Sequence, residues 1–212
     1  MKHLILLFLA LVSLELNAQY HIARVQMTDG SIKEGYCKLP SNKLLDNKVE
    51  FKPSKKGKVE KINDTEISKI LITSKSGNNF LFERLPVVHL YKFFGKEIKQ
   101  EKSRSHWMLL YHTNDKLNCY SLAQRYKIDK KGVMKSITGA QSIWEFIYFL
   151  LKRNEEEKAY IVSGIGFTNG QVRKAMSIYF DDIPEFVERV KSKEFKKSNV
   201  SDVADEYAKY FN

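Results

Sequence analysis

From residue 20 to residue 163 the chain is broken every few residues by a polar turn, and the segments between turns are short, branched and aromatic. That punctuation constrains the fold more than any other feature. Such segments read as strands, and turns this close together join them into hairpins. Residues 20–28 and 31–39 flank Asp29-Gly30, a pair suited to the positive φ angles of a tight hairpin turn. Residues 48–52 and 58–62 flank a turn from Pro53 to Gly57, where proline cannot donate to a ladder and glycine permits the reversal. Further strands are expected at 66–73, 79–85, 87–94, 105–112, 117–124, 125–128 and 133–137.

Residues 143–151 are ambiguous. Ser142 and Glu145 fit a helix capping box, and Ile143, Phe146, Ile147 and Leu150 fit a helical stripe. Yet Trp144, Tyr148 and Phe149 make the segment apolar all round, as a strand buried on both faces is. It is read as half of a hairpin that crosses through the polar 152–158 to a strand at 159–163.

Beyond that point the period becomes helical. Val172, Ala175, Met176 and Tyr179 form one stripe, and Ile183, Phe186, Val187 and Val190 a second. Asp182 is expected to cap the second helix, with Glu185 completing the box and Pro184 tolerated in the first turn. Val200, Val203, Ala204, Tyr207 and Phe211 form a third stripe behind the potential cap Asn199. The expected fold class is therefore α+β, a β-rich body of short antiparallel strands and hairpins followed by three short C-terminal helices.

The opening residues Met1, Lys2 and His3 precede a run from Leu4 to Leu16 with hardly a polar group. A basic start and a short apolar run are what the export machinery reads. The run falls short of the roughly 20 residues needed to cross about 30 Å of hydrocarbon. Residues 1–18 are thus expected to be a signal peptide removed after Ala18, leaving Gln19 first. Residues 19–94 would form a small β domain or subdomain, and 105–212 a second sheet (105–163) with helices at 169–211. The polar stretch 95–104 would divide them.

The 36 Lys and Arg residues exceed the 25 Asp and Glu, for a formal charge of +11. Lys2 and Glu15 cancel, so loss of the signal keeps the excess. The charge favours an anionic lipid or polysaccharide surface or an acidic protein, and in an exported chain no nucleic acid is expected. The anion-contact candidates are Lys52, Lys55, Lys56, Lys58 and Lys61, around one turn. Further basic groups gather at 92–104, 127–135 and 191–197. The competing account is a lysine surface that serves solubility alone.

No residue pattern assigns a catalytic group, a cofactor or a metal. His21, His89, His106 and His112 lack metal-site spacing, and six residues of strand hold the last two roughly 20 Å apart. The Gly164-Ile165-Gly166 pair marks a turn more simply than a phosphate loop. Asp181-Asp182 reads as a helix start before a carboxylate dyad. An oxidising compartment would permit a disulfide between Cys37 and Cys119, but they are 82 residues apart in the chain and are expected to be separate buried thiols. The function expected is a non-enzymatic periplasmic or envelope-associated binding or structural protein that engages an anionic surface. The alternative is an exported hydrolase or other enzyme with a dispersed active site.

Two features together carry a resemblance. One is Asn17-Ala18-Gln19 before the hairpin Thr28-Asp29-Gly30-Ser31-Ile32-Lys33-Glu34-Gly35, and the other is the tail from Tyr179 through Asp182 and Pro184 to Val187, then Lys193-Glu194-Phe195. The combination resembles a loose group of exported proteins of Bacteroidetes-type bacteria that have no assigned activity. Ile183 stands where that group often has Cys or Tyr. The resemblance implies the periplasm or outer-membrane periphery and a β-then-helical architecture, with no mechanism.

Overall fold

The computed structural model describes residues 19–137, 147–195 and 200–211. The expected signal, the Ser142/Glu145 box and the Asn199 cap lie outside them. The chain is α+β, as expected: antiparallel strands dominate and three short helices end it.

The first strands are β1 (His21–Met27), β2 (Ile32–Cys37), β3 (Lys48–Lys52) and β4 (Glu60–Asn63). A 3₁₀ turn at Asp64–Glu66 leads to β5 (Ile67–Thr73) and β6 (Asn79–Leu85). Next come β7 (Val87–Phe93), β8 (Lys96–Glu101), β9 (His106–Thr113) and β10 (Leu117–Ala123). The short pair β11 (Arg125–Ile128) and β12 (Met134–Ile137) forms its own ribbon, and β13 (Ile147–Arg153) and β14 (Ala159–Gly164) return to the main sheet. Helices α1 (Asn169–Tyr179), α2 (Pro184–Lys191) and α3 (Val200–Ala208) follow.

The β1–β2 turn differs in kind from the expectation. Gly30 alone takes a positive φ, +86°, while Met27 and Ser31 close the hairpin and the Asp29 carboxylate accepts from the Ser31 amide. This is the three-residue loop with glycine at the bulge, in place of a two-residue turn.

Twelve strands form one sheet in the order β4-β3-β2-β1-β5-β6-β9-β10-β13-β14-β7-β8. Its only parallel pair among the described residues is β14 with β7. Only Pro86 separates β6 from β7, which keeps the Leu85 and Val87 Cα atoms within about 7.6 Å. In a flat sheet the four intervening strands would hold β6 and β7 about 24 Å apart. The sheet must therefore coil back on itself, and Pro86 is the corner. Proline suits the corner because it has no N–H to lose, and its carbonyl accepts from the Ala159 amide at 3.0 Å.

Strand parity then separates three cores. Met108 of β9 points into the coil with Val87, Tyr120, Leu122, Leu150 and Ile161. Its neighbours Trp107 and Leu109 point the other way, to a second core with Val25, Phe51, Ile70, Ile72 and Phe82. The outer face of the coil, with Leu90, Leu117, Cys119, Leu151 and Val162, is covered by the helical stripes through Val172, Met176, Phe180, Phe186 and Tyr207.

The structure departs from the sequence reading at several named residues. The polar stretch 95–104, expected to divide the chain, contains β8, which pairs along its length with β7. Residues 87–93, expected to belong with the N-terminal strands, lie beyond β14 at the opposite side of the sheet from β1–β4. Asp182 does not cap α2. Its carboxylate accepts from Arg153 Nη2 at 2.5 Å, and Ile183 occupies the cap position with no side-chain bond. Strand β13 also runs on to Arg153, into the segment expected to be a polar crossing.

Candidate ligand-binding cleft

The mouth of the coil is a cleft. A hollow of about 260 Å³ is lined by Val87, His89, Lys102, His106, Leu122, Tyr148 and Ile161. His89 also lines a second, wider hollow of about 520 Å³ with Leu90, Tyr91, Lys92, Gln100, Phe167, Gln171 and Lys174. Barrel mouths with apolar floors and a few converging polar groups are common ligand sites.

Strand alternation builds one wall. Val87, His89 and Tyr91 share a face of β7. Phe167 joins them from the loop before α1, fixed by its amide bond to the Gly164 carbonyl and by the Thr168–Gln171 capping box. Tyr148 arrives from β13, and its ring lies where a Gly164 side chain would stand; a Cβ there would fall 2.6 Å from the ring. That close approach, and the turn at Gly166, explain the two glycines without a phosphate loop. The rings follow one another from Tyr91 to His89 at 5.5 Å, to Phe167 at 6.3 Å and to Tyr148 at 6.0 Å.

Charge in the cleft is one-sided. Among the described residues that line it there is no carboxylate, whereas Lys102 and Lys174 stand at its rim with Lys92, whose ammonium is paired with Glu97 at 3.0 Å. Burial lowers the pKa of His106 to about 4, helped by the positive charges of Arg104, Arg84 and Lys102. Burial and Lys102 lower His89 as well. Both rings are therefore neutral at neutral pH, and the cations are lysines.

A third hollow, of about 480 Å³, lies apart from the cleft between two hairpin turns. Lys75, Lys127 and Lys130 line it with the buried His21. Its single acid, Asp129, already accepts from Lys135 and from the Lys131 and Val133 amides. The hollow is cationic, but its lining has no aromatic side chain except the His21 imidazole to orient a ligand.

The nearest approach to a catalytic set is elsewhere. His112 Nε2 lies 2.7 Å from the Asp205 carboxylate, and Cys119 faces His112 across the β9–β10 ladder. The thiol is fully buried, however, and burial pushes its pKa up to about 12. A protonated, enclosed thiol is not a nucleophile. Cys37 is likewise a free buried thiol, in a different core. Asp181 and Asp182 separate to different cations, Lys99 and Arg153, and make no dyad. Among the described residues no group of three His, Cys, Asp or Glu side chains converges to hold a metal.

No family model, no curated protein and no solved structure matches the chain. The site is read from its own geometry.

The five candidate lysines come together on the β3–β4 hairpin, but they are not equivalent. Lys52 sits over the Tyr20 ring at 4.3 Å, and Lys61 lies opposite Glu50 in the ladder. Lys55, Lys56 and Lys58 are exposed, with no ion pair or hydrogen bond to the described residues. The cleft residues were not assembled from sequence. His89 and Tyr91 carried the one available signal, an alternating aromatic pair on a strand. Nothing in the chain order links them to Tyr148 or Phe167.

Proposed function

We propose that this protein is a non-enzymatic binding module whose cleft holds an amphipathic anion. The observation that carries the reading is the cleft's lining: a continuous aromatic wall over an apolar floor, with no carboxylate among the described lining residues and with Lys102 and Lys174 at the rim beside Lys92, which is paired with Glu97. An acyl chain or a fused ring would lie along the wall, and its charged end would meet Lys102 or Lys174. Gln100 and Gln171 add neutral donors at the wider end. Among the described residues no serine, threonine or cysteine lines either hollow of the cleft, which favours binding over nucleophilic chemistry.

The setting we propose is the cell envelope. The basic, apolar opening of the sequence and the charge of +11 support an exported protein working against an anionic surface. Among the described residues no helix is long and apolar enough to cross a membrane. The mass of the protein from its native cell checks export: a chain beginning at or near Gln19 is expected, and retention of residues 1–18 would refute the processing.

Calorimetry with laurate tests the cleft. Laurate should bind, dodecanol should bind less well, and inorganic phosphate should not compete. Lys102→Gln and Phe167→Ala should each weaken laurate about tenfold, the equivalent of about 1.4 kcal/mol. Lys130→Gln, in the other hollow, should change nothing. Equal affinity in all three variants would remove the cleft from the reading.

A further inference from the structure

The β7–β8 hairpin ends in a feature that its own fold does not explain. Phe93 and Phe94 are adjacent at the tip, 58% and 91% exposed, and meet edge to face with ring centroids 4.5 Å apart. Phe93 pairs with Lys96, so Phe94 and Gly95 form a two-residue loop, with φ of +45° and +77°. Two positive φ angles define the hairpin turn that favours Asn-Gly or Asp-Gly. A bulky side chain at the first position is strained, and here no burial within the chain offsets the strain. Local conflict of this kind is expected where a residue serves something outside the fold.

The tip also projects. Strand β14 pairs with β7 only from Val87 to His89, so beyond His89 the strand is paired by β8 alone. Phe94 therefore stands several residues beyond the shared ladder, at about 3.3 Å per residue. Lys92 and Lys96 flank the two rings, Lys92 in a 3.0 Å ion pair with Glu97 across the hairpin.

We propose that this tip inserts into an anionic phospholipid bilayer. The rings would enter the interface between headgroups and acyl chains, while the flanking lysines meet the phosphates. A second chain adding to the free edge is the poorer occupant, because β8 reads Lys-Glu-Ile-Lys-Gln-Glu, a charged edge that resists strand addition. The proposal does not depend on what the cleft holds. Phe93, Tyr91, His89 and Val87 nevertheless share one face of β7, so an inserted tip would bring the cleft to the membrane surface.

The test is co-sedimentation with vesicles of phosphatidylglycerol mixed with phosphatidylcholine, against phosphatidylcholine alone. The variant is Phe93→Ser with Phe94→Asn. Asparagine suits the strained position, so thermal unfolding should show the variant at least as stable as the wild type, and lost binding cannot be ascribed to misfolding. The wild type should partition onto the anionic vesicles, and the variant should lose on the order of 100-fold in partitioning. Phe94→Trp should shift its emission to the blue on the vesicles and be quenched by brominated acyl chains. Absence of wild-type binding at about 0.05 M salt, or equal binding by the variant, would overturn the proposal. So would lipid-free self-association that the variant abolishes, which would make a second copy the occupant. Equal partitioning onto phosphatidylcholine alone would overturn the choice of an anionic surface. Laurate affinity should be the same in the tip variant, which keeps this result separate from the fate of the cleft reading.

Discussion

Gly132 answers to two constraints at once. It takes φ +77° at the β11–β12 turn, and a Cβ added there would lie 1.8 Å from Ser76 Oγ and 2.8 Å from Ser76 Cβ. Its carbonyl also accepts from Asn78, so the β5–β6 and β11–β12 turns are packed together at this point. Gly30 has a similar angle, φ +86°, but nothing within 4 Å. Gly30→Ala should therefore cost only the backbone strain, about 1 kcal/mol, and Gly132→Ala about 2 kcal/mol or more. Urea unfolding of the two variants measures the difference. Adding Ser76→Gly to Gly132→Ala should bring its cost down to the Gly30→Ala level, and failure to do so would mean the strain is not at Ser76. His106 gives a second residue-scale expectation. Its pKa falls from 6.5 unfolded to about 4 folded, so the folded state excludes a proton that the unfolded state binds. Stability from this group is complete above pH 6.5 and declines as pH falls from 6.5 towards 4, by up to about 3 kcal/mol. A His106→Gln variant should flatten the urea midpoint between pH 7 and pH 4.5 relative to wild type. If both midpoints fall in parallel, the acid sensitivity belongs to other groups, among them His21 and His89, whose values burial also lowers.

At the scale of elements, one side chain ties the helices to the sheet. Arg153, at the end of β13, donates from Nε to the Tyr207 hydroxyl of α3 and from Nη2 to the Tyr179 carbonyl of α1 and to Asp182 just before α2. Its guanidinium also lies over the Tyr179 ring at 4.9 Å and the Tyr207 ring at 5.6 Å. Arg153→Ala should cost about 3 kcal/mol, because partly buried partners on three elements lose a cation together. Hydrogen exchange should show the loss first in α2 and α3. Lys in its place keeps charge but cannot fork to three acceptors, and should recover less than half of the cost. Faster exchange confined to β13 would refute the clamp. This contact also marks the limit of what the sequence made legible. Apolar segments bounded by polar turns, such as 79–85, were found at their true bounds, and the helical stripes at Val172–Tyr179 and Phe186–Val190 proved to be core. Strand β8 was missed because an exposed edge carries no apolar alternation, only charge. Asp182 was assigned to its local helix because a cap is the local use of such a residue, whereas its partner is 29 residues away. The cleft was illegible for the same reason. Its wall joins β7, β13 and the loop before α1, and that pairing follows from the parallel β7–β14 ladder, for which short segments give no signal.

For the whole molecule, the open question is whether +11 is a surface average or a set of places. Many lysines are locally answered: Lys33 by Glu60, Lys38 by Glu50, Lys69 by Glu83, Lys158 by Glu101. The unanswered ones on the β3–β4 hairpin, Lys55, Lys56 and Lys58, are close enough in the chain to act as one patch at physiological salt, where screening reaches about 8 Å. Lys52 and Lys61 contribute less, the first held over Tyr20 and the second beside Glu50. We therefore expect retention on an immobilised anionic polysaccharide to depend on position as well as on net charge. Changing Lys55, Lys56 and Lys58 to Gln should lower the salt needed for elution clearly more than changing Lys43, Lys131 and Lys193, three exposed lysines on separate segments outside this hairpin. The two variants have the same net charge, so a smooth distribution of charge would give identical elution. Identical elution would end the case for recognition by this hairpin and leave its lysines to solubility. A lower position for the hairpin variant, with a shallower salt dependence, would instead identify the β3–β4 edge of the sheet as a site of contact with anionic polymer, at the opposite end of the strand order from the aromatic tip of β7 and β8.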